Sequence, residues 1–201
     1  MTLIDRIKNI IVTPNVEWGI IDQESDTPAS LLKSYLLPLG IAGAIATFIG
    51  SAMIGTTVLG VKVGGTVAFG LNQAVISLLA LVLGFYITTY VVDMLAPTFK
   101  SEKDINKTAQ LVAYSNTPAL LGALLAIIPA ISWIGALFGL YGFYLLFLGL
   151  PVLKKTPDQQ RMPYIIVTII VLLVVYFVIA MILGAILAPI FGISSVSQYG
   201  L

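Results

Sequence analysis

The sequence contains no cysteine and no histidine, and charged residues make up only 9% of its 201 residues. Without cysteine there are no disulfides and no thiolate metal sites. Without histidine there are no Ser–His or Cys–His nucleophilic pairs, no HExxH zinc site and no His-ligated haem. A net charge of +1 gives nucleic acid no electrostatic attraction. We therefore expect neither an enzyme nor a cofactor-binding or nucleic-acid-binding protein.

Long apolar blocks dominate what remains, since hydrophobic residues make up 59% of the chain. An α-helix rises about 1.5 Å per residue, so roughly 20 apolar residues cross the hydrocarbon core of a bilayer. The blocks run over residues 33–54, 72–96, 108–128, 131–152 and 164–190. They predict an all-α membrane protein with five transmembrane helices. Residues 1–30 would form a cytoplasmic or interfacial segment, and residues 31–201 the transmembrane domain.

The basic residues predict the orientation of these spans. All but one of the ten Lys and Arg residues fall on one side of the membrane if the spans alternate. These are Arg6, Lys8, Lys33, Lys100, Lys103, Lys107, Lys154, Lys155 and Arg161. Only Lys62 falls on the other side, and the tail after Ile190 has no basic residue. We therefore expect a cytoplasmic N-terminus and an external C-terminus in the cell membrane. No signal-peptide pattern precedes the first span, which we expect to direct insertion itself.

The N-terminal segment predicts a short amphipathic helix over residues 2–12, begun by Thr2 and ended by Pro14. Apolar residues recur at helical spacing, and Asp5, Arg6 and Lys8 are expected on the opposite, polar face. Such a helix can lie among lipid headgroups or pack against the cytoplasmic ends of the spans. Trp18 is expected at the interface with its indole N–H in water. The candidate interfacial residues are Ile7, Ile11, Pro14, Glu17 and Trp18.

Two sets of small residues predict close contacts between helices, because small side chains let backbones approach one another. One set stands at four-residue intervals in the first span, and the other forms a GxxxG pair in the fourth span. The predicted packing residues are Ala42, Ala46, Gly50, Pro118, Gly135, Gly139 and Gly142.

Few polar side chains interrupt the spans, and they are the candidates for an intramembrane polar site: Asn72, Asp93, Tyr114, Asn116 and Thr117. Asp93 is either an interfacial acid that pairs with Lys100 or Lys103, or a proton or ligand site in a cavity. Asn116 is expected to form an interhelical hydrogen bond. Pro118 leaves the Tyr114 carbonyl without its helical donor, so a hydroxyl group or water is expected to bond it.

The glycine-rich segment 55–70 separates the first two spans, and its backbone leaves two possibilities open. Alternating residues around Lys62 favour a small extracytoplasmic hairpin. A re-entrant loop is the alternative, which requires protein or water around its backbone.

Residues 113–121 (AYSNTPALL) resemble the Tyr-Ser-x-Thr-Pro-x-Leu-Leu signature of the prokaryotic Yip1-domain family. Residues 127–146 are similar to the family's following run, residues 154–157 to its basic loop, and residues 10–18 to its P-x-x-x-W motif. The resemblance implies a five-span protein with a cytoplasmic N-terminus. Eukaryotic relatives contact prenylated GTPases, but their Asp-Leu-Tyr-Gly-Pro motif is only loosely matched by residues 93–97, so GTPase binding is not carried over.

Two functions agree with these features. The first is a non-enzymatic membrane scaffold or adaptor that uses the N-terminal helix and the cytoplasmic loops to contact lipid, other membrane proteins or a second copy of itself. The alternative is a transporter or channel for a small solute or ion, with a polar site around Asp93 and Asn116.

Overall fold

Five helical segments are long and apolar enough to span a membrane in the computed structural model, which describes residues 1–58 and 61–190. They run over Pro28–Ile54, Val67–Phe99, Ile105–Ile127, Pro129–Leu153 and Asp158–Ile190, and are called the first to fifth spans below. Each predicted apolar block falls on one of them, which confirms an integral multi-pass membrane protein. The predicted polar tail after Ile190 lies outside the described residues.

Two short helices precede the first span. Helix α1 (Leu3–Val12) begins with a capping box, in which the Thr2 hydroxyl accepts from the Asp5 amide (3.2 Å) and the Asp5 carboxylate accepts from the Thr2 amide (3.3 Å). Helix α2 (Pro14–Asp22) starts with proline, whose missing N–H needs no partner at that position. The predicted helix start at Thr2 and the break at Pro14 are thus confirmed.

The first span is not a uniform α-helix. It consists of α3 (Pro28–Leu31), a π-helical turn (Leu32–Leu36), α4 (Leu37–Ile49) and a second π-helical turn (Gly50–Ile54). The first wide turn directly precedes Pro38, whose ring would otherwise clash with a carbonyl of the preceding turn.

A β-hairpin joins the first two spans. Strands β1 (Thr56–Val58) and β2 (Val61–Val63) pair antiparallel, with Thr56 opposite Val63. Gly64 and Gly65, at φ +87° and +81°, adopt a left-handed conformation that suits glycine and lead into the second span. Of the two possibilities for segment 55–70, the hairpin is therefore confirmed.

The second and third spans end or bend at proline. The second span consists of α5 (Val67–Leu95) and a 3₁₀ turn (Ala96–Phe99). The third consists of α6 (Ile105–Ser115), α7 (Thr117–Gly122) and a 3₁₀ segment (Ala123–Ile127), with a break at Asn116 before Pro118. The Thr117 hydroxyl donates to the free Tyr114 carbonyl (2.7 Å), which confirms the predicted hydroxyl partner.

The fourth and fifth spans complete the bundle. The fourth consists of a 3₁₀ turn (Pro129–Ile131) and α8 (Ser132–Leu153), and the fifth is α9 (Asp158–Ile190). The main hydrophobic core brings α1 and α2 together with neighbouring parts of all five spans. Its largest fully buried apolar members are Trp18, Tyr164, Ile10, Ile21, Leu31, Leu36, Leu111, Leu145, Leu150 and Leu153. This core lies toward the end of the bundle that carries α1, α2 and the connections 100–104 and 154–157. We call that end the basic end.

Small residues of the first span pack against the third, but with a different helical phase from the predicted one. Ala42 is exposed, whereas Gly43, Ala46 and Gly50 are buried. A Cβ on Gly50 would collide with the Ala126 carbonyl oxygen, and one on Gly43 would lie 3.2 Å from the Ala123 Cβ. At about 100° per residue, positions seven apart share a face more closely than positions eight apart. The inclusion of Ala42 was therefore wrong.

Glycines of the fourth span separate into contact and open positions. Gly135 packs directly on Gly122 of the third span, and a Cβ on Gly142 would lie 2.7 Å from the Ser115 carbonyl oxygen. A Cβ on Gly139, by contrast, would meet no atom within 4 Å. The GxxxG spacing places Gly135 and Gly139 on one face of the helix. The third span, which breaks at Asn116, contacts only part of that face. Gly139 as a packing residue was thus a wrong prediction.

We expect Gly135→Ala to lower the free energy of unfolding by about 1–3 kcal/mol, because its methyl group would overlap the Gly122 carbonyl. Gly139→Ala is the matched control in the same helix, and it should be neutral or slightly stabilising because alanine favours helix and the site is open. Denaturant titration of the two variants in mixed micelles measures the difference. Equal destabilisation by both substitutions would contradict the assigned contact.

Candidate functional site

A buried ionic cluster holds the N-terminal helices together at the basic end. The Arg6 guanidinium binds the Glu17 carboxylate (2.5 Å) and the Glu24 carboxylate, and it lies 5.1 Å from the centre of the Tyr114 ring. Arg6 and Glu17 are only 6% and 1% exposed. Burial alone lowers the pKa of Arg6, but the hydrogen bond to Glu24 and the nearby negative charges raise it above its ordinary value. Arg6 therefore stays charged inside the protein.

The burial of Arg6 corrects the expectation that it lies on the polar face of α1. Arg6 is four residues before Ile10, so the two share a helix face, and both are buried. The spacing of Arg6 from Ile10 could have predicted this burial. The expectation followed the charge of Arg6 instead of its spacing. Asp5 and Lys8 remain exposed as expected.

Trp18 also differs from its prediction. Its side chain is fully buried rather than placed at the interface, and its ring lies against Gly149, where a Cβ would be 2.9 Å from the indole. The indole nitrogen finds no hydrogen-bond partner among residues 1–58 and 61–190. Ile7 and Ile11 pack partly against the core, and the Tyr141 hydroxyl donates to the Ile11 carbonyl (2.8 Å). Of the two arrangements left open for the N-terminal helix, these contacts show packing on the spans.

Three residues link the N-terminal cluster to the break in the third span. The Tyr35 hydroxyl is 2.7 Å from the Thr117 hydroxyl, which itself donates to the Tyr114 carbonyl. The rings of Tyr35 and Tyr114 meet edge to face at 4.8 Å. Tyr114 and Thr117 were predicted as polar site residues, and the structure places them together beneath Arg6. Their polar groups are mutually bonded.

Asp93 belongs to a second buried cluster. Its carboxylate accepts from the Lys154 ammonium (2.8 Å) and from the Thr108 hydroxyl (2.9 Å). Lys154 is fully buried and also donates to the Asp104 carbonyl (3.2 Å). Burial lowers the pKa of Lys154 below its ordinary value, and the bond to Asp93 offsets only part of this effect. The ion pair thus stabilises the charged ammonium against its apolar surroundings.

The predicted partners of Asp93, Lys100 and Lys103, were wrong. Both are exposed on the connection between the second and third spans. The true partner Lys154 comes 61 residues after Asp93 and directly follows an apolar block. Asp93 and Lys154 both lie at the basic end of a span, and this shared position could have predicted the pair. Thr108 and Tyr35 carried no signal that distinguished them from other polar residues near a span end.

Further bonds join the connections of the basic end into one surface. The Glu102 amide donates to the Lys154 carbonyl (2.8 Å), and the hydroxyls of Ser101 and Thr156 lie 2.9 Å apart. Asp22 of α2 pairs with Lys155 (3.0 Å) and Lys107 (3.5 Å). Burial alone raises the pKa of Asp22, but Lys155 and Lys107 outweigh it and hold the pKa below its usual value. We call these bonded connections, together with α1 and α2, the polar layer.

The other predicted polar residues lie apart from the polar layer. Asn72 is buried in the second span near the hairpin and donates to the Gln73 side chain (3.3 Å). Asn116 is half-buried and lines a cavity, and its predicted interhelical hydrogen bond is not found within the described part of the chain. The five candidates for a single intramembrane site are therefore distributed among separate places.

The cavity that Asn116 lines has a volume of about 460 Å³ and lies between the second, third, fourth and fifth spans. Its walls are mainly aliphatic and aromatic, with a few neutral polar groups that include Thr88, Ser115 and Asn116. None of the described residues that line it is acidic or basic, and Asp93 is not among them. The cavity is thus separate from both ionic clusters.

The comparison with known proteins agrees with this architecture. A family model described as the Yip1 domain matches residues 8–182, which include the second half of α1, all of α2, the first four spans and most of the fifth. The chain has no significant match among curated proteins or among solved structures. The matched region contains the Asp93–Lys154 cluster and the cavity, and it contains Glu17 and Glu24 of the other cluster but not Arg6. The chain therefore belongs to the Yip1-domain family.

Proposed function

We propose that this protein is a non-enzymatic membrane scaffold or adaptor that presents the polar layer to partners at the cytoplasmic membrane. The single observation that carries the proposal is that α2 and both connections of the basic end are bonded to one another through Asp22, Lys155, Glu102 and Lys154. A surface built in this way is held in one shape on a membrane-embedded base. Such a fixed surface suits recognition without chemistry.

The exposed side chains of this surface fit contact with both proteins and lipid. Lys8, Lys100 and Lys103 are exposed and charged, so they are available to acidic partners. Ile4 and Val12 of α1 are 74% and 67% exposed although they are apolar. These exposed apolar side chains favour a position in which one face of α1 packs on the bundle and the opposite face contacts lipid headgroups.

The proposed orientation places the polar layer in the cytoplasm, the hairpin outside and the C-terminus outside, because the Lys and Arg residues concentrate at the basic end. The absence of native cysteine makes this testable by labelling single-cysteine variants in intact cells. We expect an impermeant maleimide to label Lys62→Cys without lysis, and Lys103→Cys and Asp158→Cys only after lysis. Labelling of positions 103 and 158 from opposite sides would overturn the arrangement.

Cross-linking in native membranes followed by purification tests the adaptor role. We expect the wild-type chain to recover a partner protein or a second copy of itself, and Lys100→Glu/Lys103→Glu to reduce this recovery at least tenfold. Lys62→Glu, in the hairpin, is the matched charge reversal and should leave recovery unchanged. If the wild-type chain yields neither partner nor oligomer, the adaptor proposal fails.

The alternative, transport of a small solute or ion, receives less support from the geometry. Asp93 is bound to Lys154 and Thr108 and does not line the cavity that Asn116 lines. An ion pathway through the cavity would therefore lack a charged group among the described lining residues.

A further inference from the structure

The cavity between the spans opens sideways. Leu140 of α8 and Leu173 of α9 line it and are themselves 62% and 66% exposed. Each stands near the middle of its span, so the opening between α8 and α9 lies at the depth of the hydrocarbon core. A molecule that enters here comes from the bilayer interior and not from either aqueous side.

A buried polar group on the cavity wall lacks a partner. Ser115 is only 6% exposed, and its hydroxyl has no hydrogen-bond partner in the described structure, although it stands on a cavity wall. Thr88, which is 5% exposed, stands on another wall close to the Tyr176 side chain. Buried polar groups are normally bonded, because leaving one unbonded costs about 1–3 kcal/mol. The half-buried amide of Asn116 adds both donors and an acceptor nearby.

We propose that this cavity binds a neutral bilayer lipid that carries a hydroxyl or carbonyl group on a long hydrocarbon chain. The apolar walls accommodate the chain, and Ser115 and Asn116 bond its polar group. A charged lipid is disfavoured because the described walls offer no counter-ion. The volume of about 460 Å³ falls within the range of about 300–1,000 Å³ that is typical of small-molecule sites.

A neutral lipid of this kind can belong to either of two classes. Long-chain alcohols present a hydroxyl, and long-chain quinones present carbonyls, and both reside within the membrane. The donors and acceptors of Ser115 and Asn116 suit both classes. Competition experiments separate them.

A photoreactive diazirine analogue of hexadecanol tests the proposal with the full chain in phosphatidylcholine vesicles. We expect cross-links to concentrate on α5, α6 and α8 around the cavity. Unlabelled hexadecanol or a long-chain quinone should displace the probe, and whichever competes better identifies the class. Hexadecane, which lacks the polar group, should compete about three- to tenfold less well.

Three substitutions can be made without disturbing existing contacts. Gly139→Leu projects a side chain into the open cavity and should reduce labelling at least tenfold, whereas Gly184→Leu, at an equally open position of α9 outside the cavity, should not. Ser115→Ala removes a hydroxyl without a described partner and should weaken competition by hexadecanol about three- to tenfold while leaving hexadecane unchanged.

Two results would overturn the proposal. Labelling that spreads along the exposed face of α9 and is unchanged by Gly139→Leu would show ordinary contact with surrounding lipid. Equal competition by hexadecane and hexadecanol would show that Ser115 and Asn116 do not select a polar group.

Discussion

Arg6→Met should release the N-terminal helices from the bundle, at a cost of about 3–5 kcal/mol in the free energy of docking. The substitution keeps the length of the apolar part of the side chain but leaves Glu17, which is 1% exposed, without its cation. Glu24 can return to water because its side chain is 32% exposed. The effect therefore comes mainly from the stranded charge of Glu17.

Hydrogen exchange of α1 and α2 measures this loss. At about 1.4 kcal/mol for each tenfold change, exchange should accelerate by roughly two to four orders of magnitude. Arg6→Met/Glu17→Gln should recover much of the docking, and Lys8→Met, an exposed position of the same helix, should change little. Wild-type exchange in Arg6→Met would refute the buried ion pair.

Lys154→Met should lower the free energy of unfolding of the whole bundle by about 3–5 kcal/mol, because the Asp93 carboxylate, which is 5% exposed, would lose its cation. The Lys154 ammonium also holds the Thr108 hydroxyl (2.5 Å), so the contact between the third and fourth spans would lose a second bond. Denaturant titration in mixed micelles gives the size of the effect.

A double-mutant cycle separates the ion pair from other effects of the substitution. Lys154→Met/Asp93→Asn should be more stable than Lys154→Met alone, because no buried charge is stranded. Lys155→Met is the matched neighbour, and its loss should be below about 1 kcal/mol because its side chain is 50% exposed. If the substitutions at 154 and 155 have equal effects, the assigned pair does not stabilise the bundle.

Features that depend on local sequence were predictable. Apolar length predicted the five spans, because the hydrocarbon thickness sets a minimum that few other helices reach. Thr2 and Pro14 delimited α1 through backbone chemistry that involves only adjacent residues. Pro118 removed a helical donor, and the hydroxyl of Thr117 directly beside it satisfied the Tyr114 carbonyl.

Features that depend on contacts between distant segments were not predictable in detail. Helical spacing gives the face on which a residue lies but not the element that covers it, so Asp93 was placed with nearby lysines and not with Lys154. Gly139 lies four residues after Gly135 on the same helix face, yet a Cβ there would meet no atom within 4 Å, and both Gly139 and Asn116, where the third span breaks, line the cavity. Trp18 was predicted at the membrane interface because tryptophan prefers interfaces. In the structure its ring is buried against Gly149, which has no side chain to exclude it.

The contacts of the N-terminal helices with the fourth span impose an order on biosynthesis. The Ile11 carbonyl bonds to a residue 130 positions later, and at about 5–20 residues per second the ribosome needs roughly 6–26 s to reach it. During this interval Trp18 has no fourth span to pack against, because Gly149 has not yet been made. The first helices to be translated are thus among the last to settle, and a nascent chain stalled before α8 would leave them accessible to chaperones and proteases.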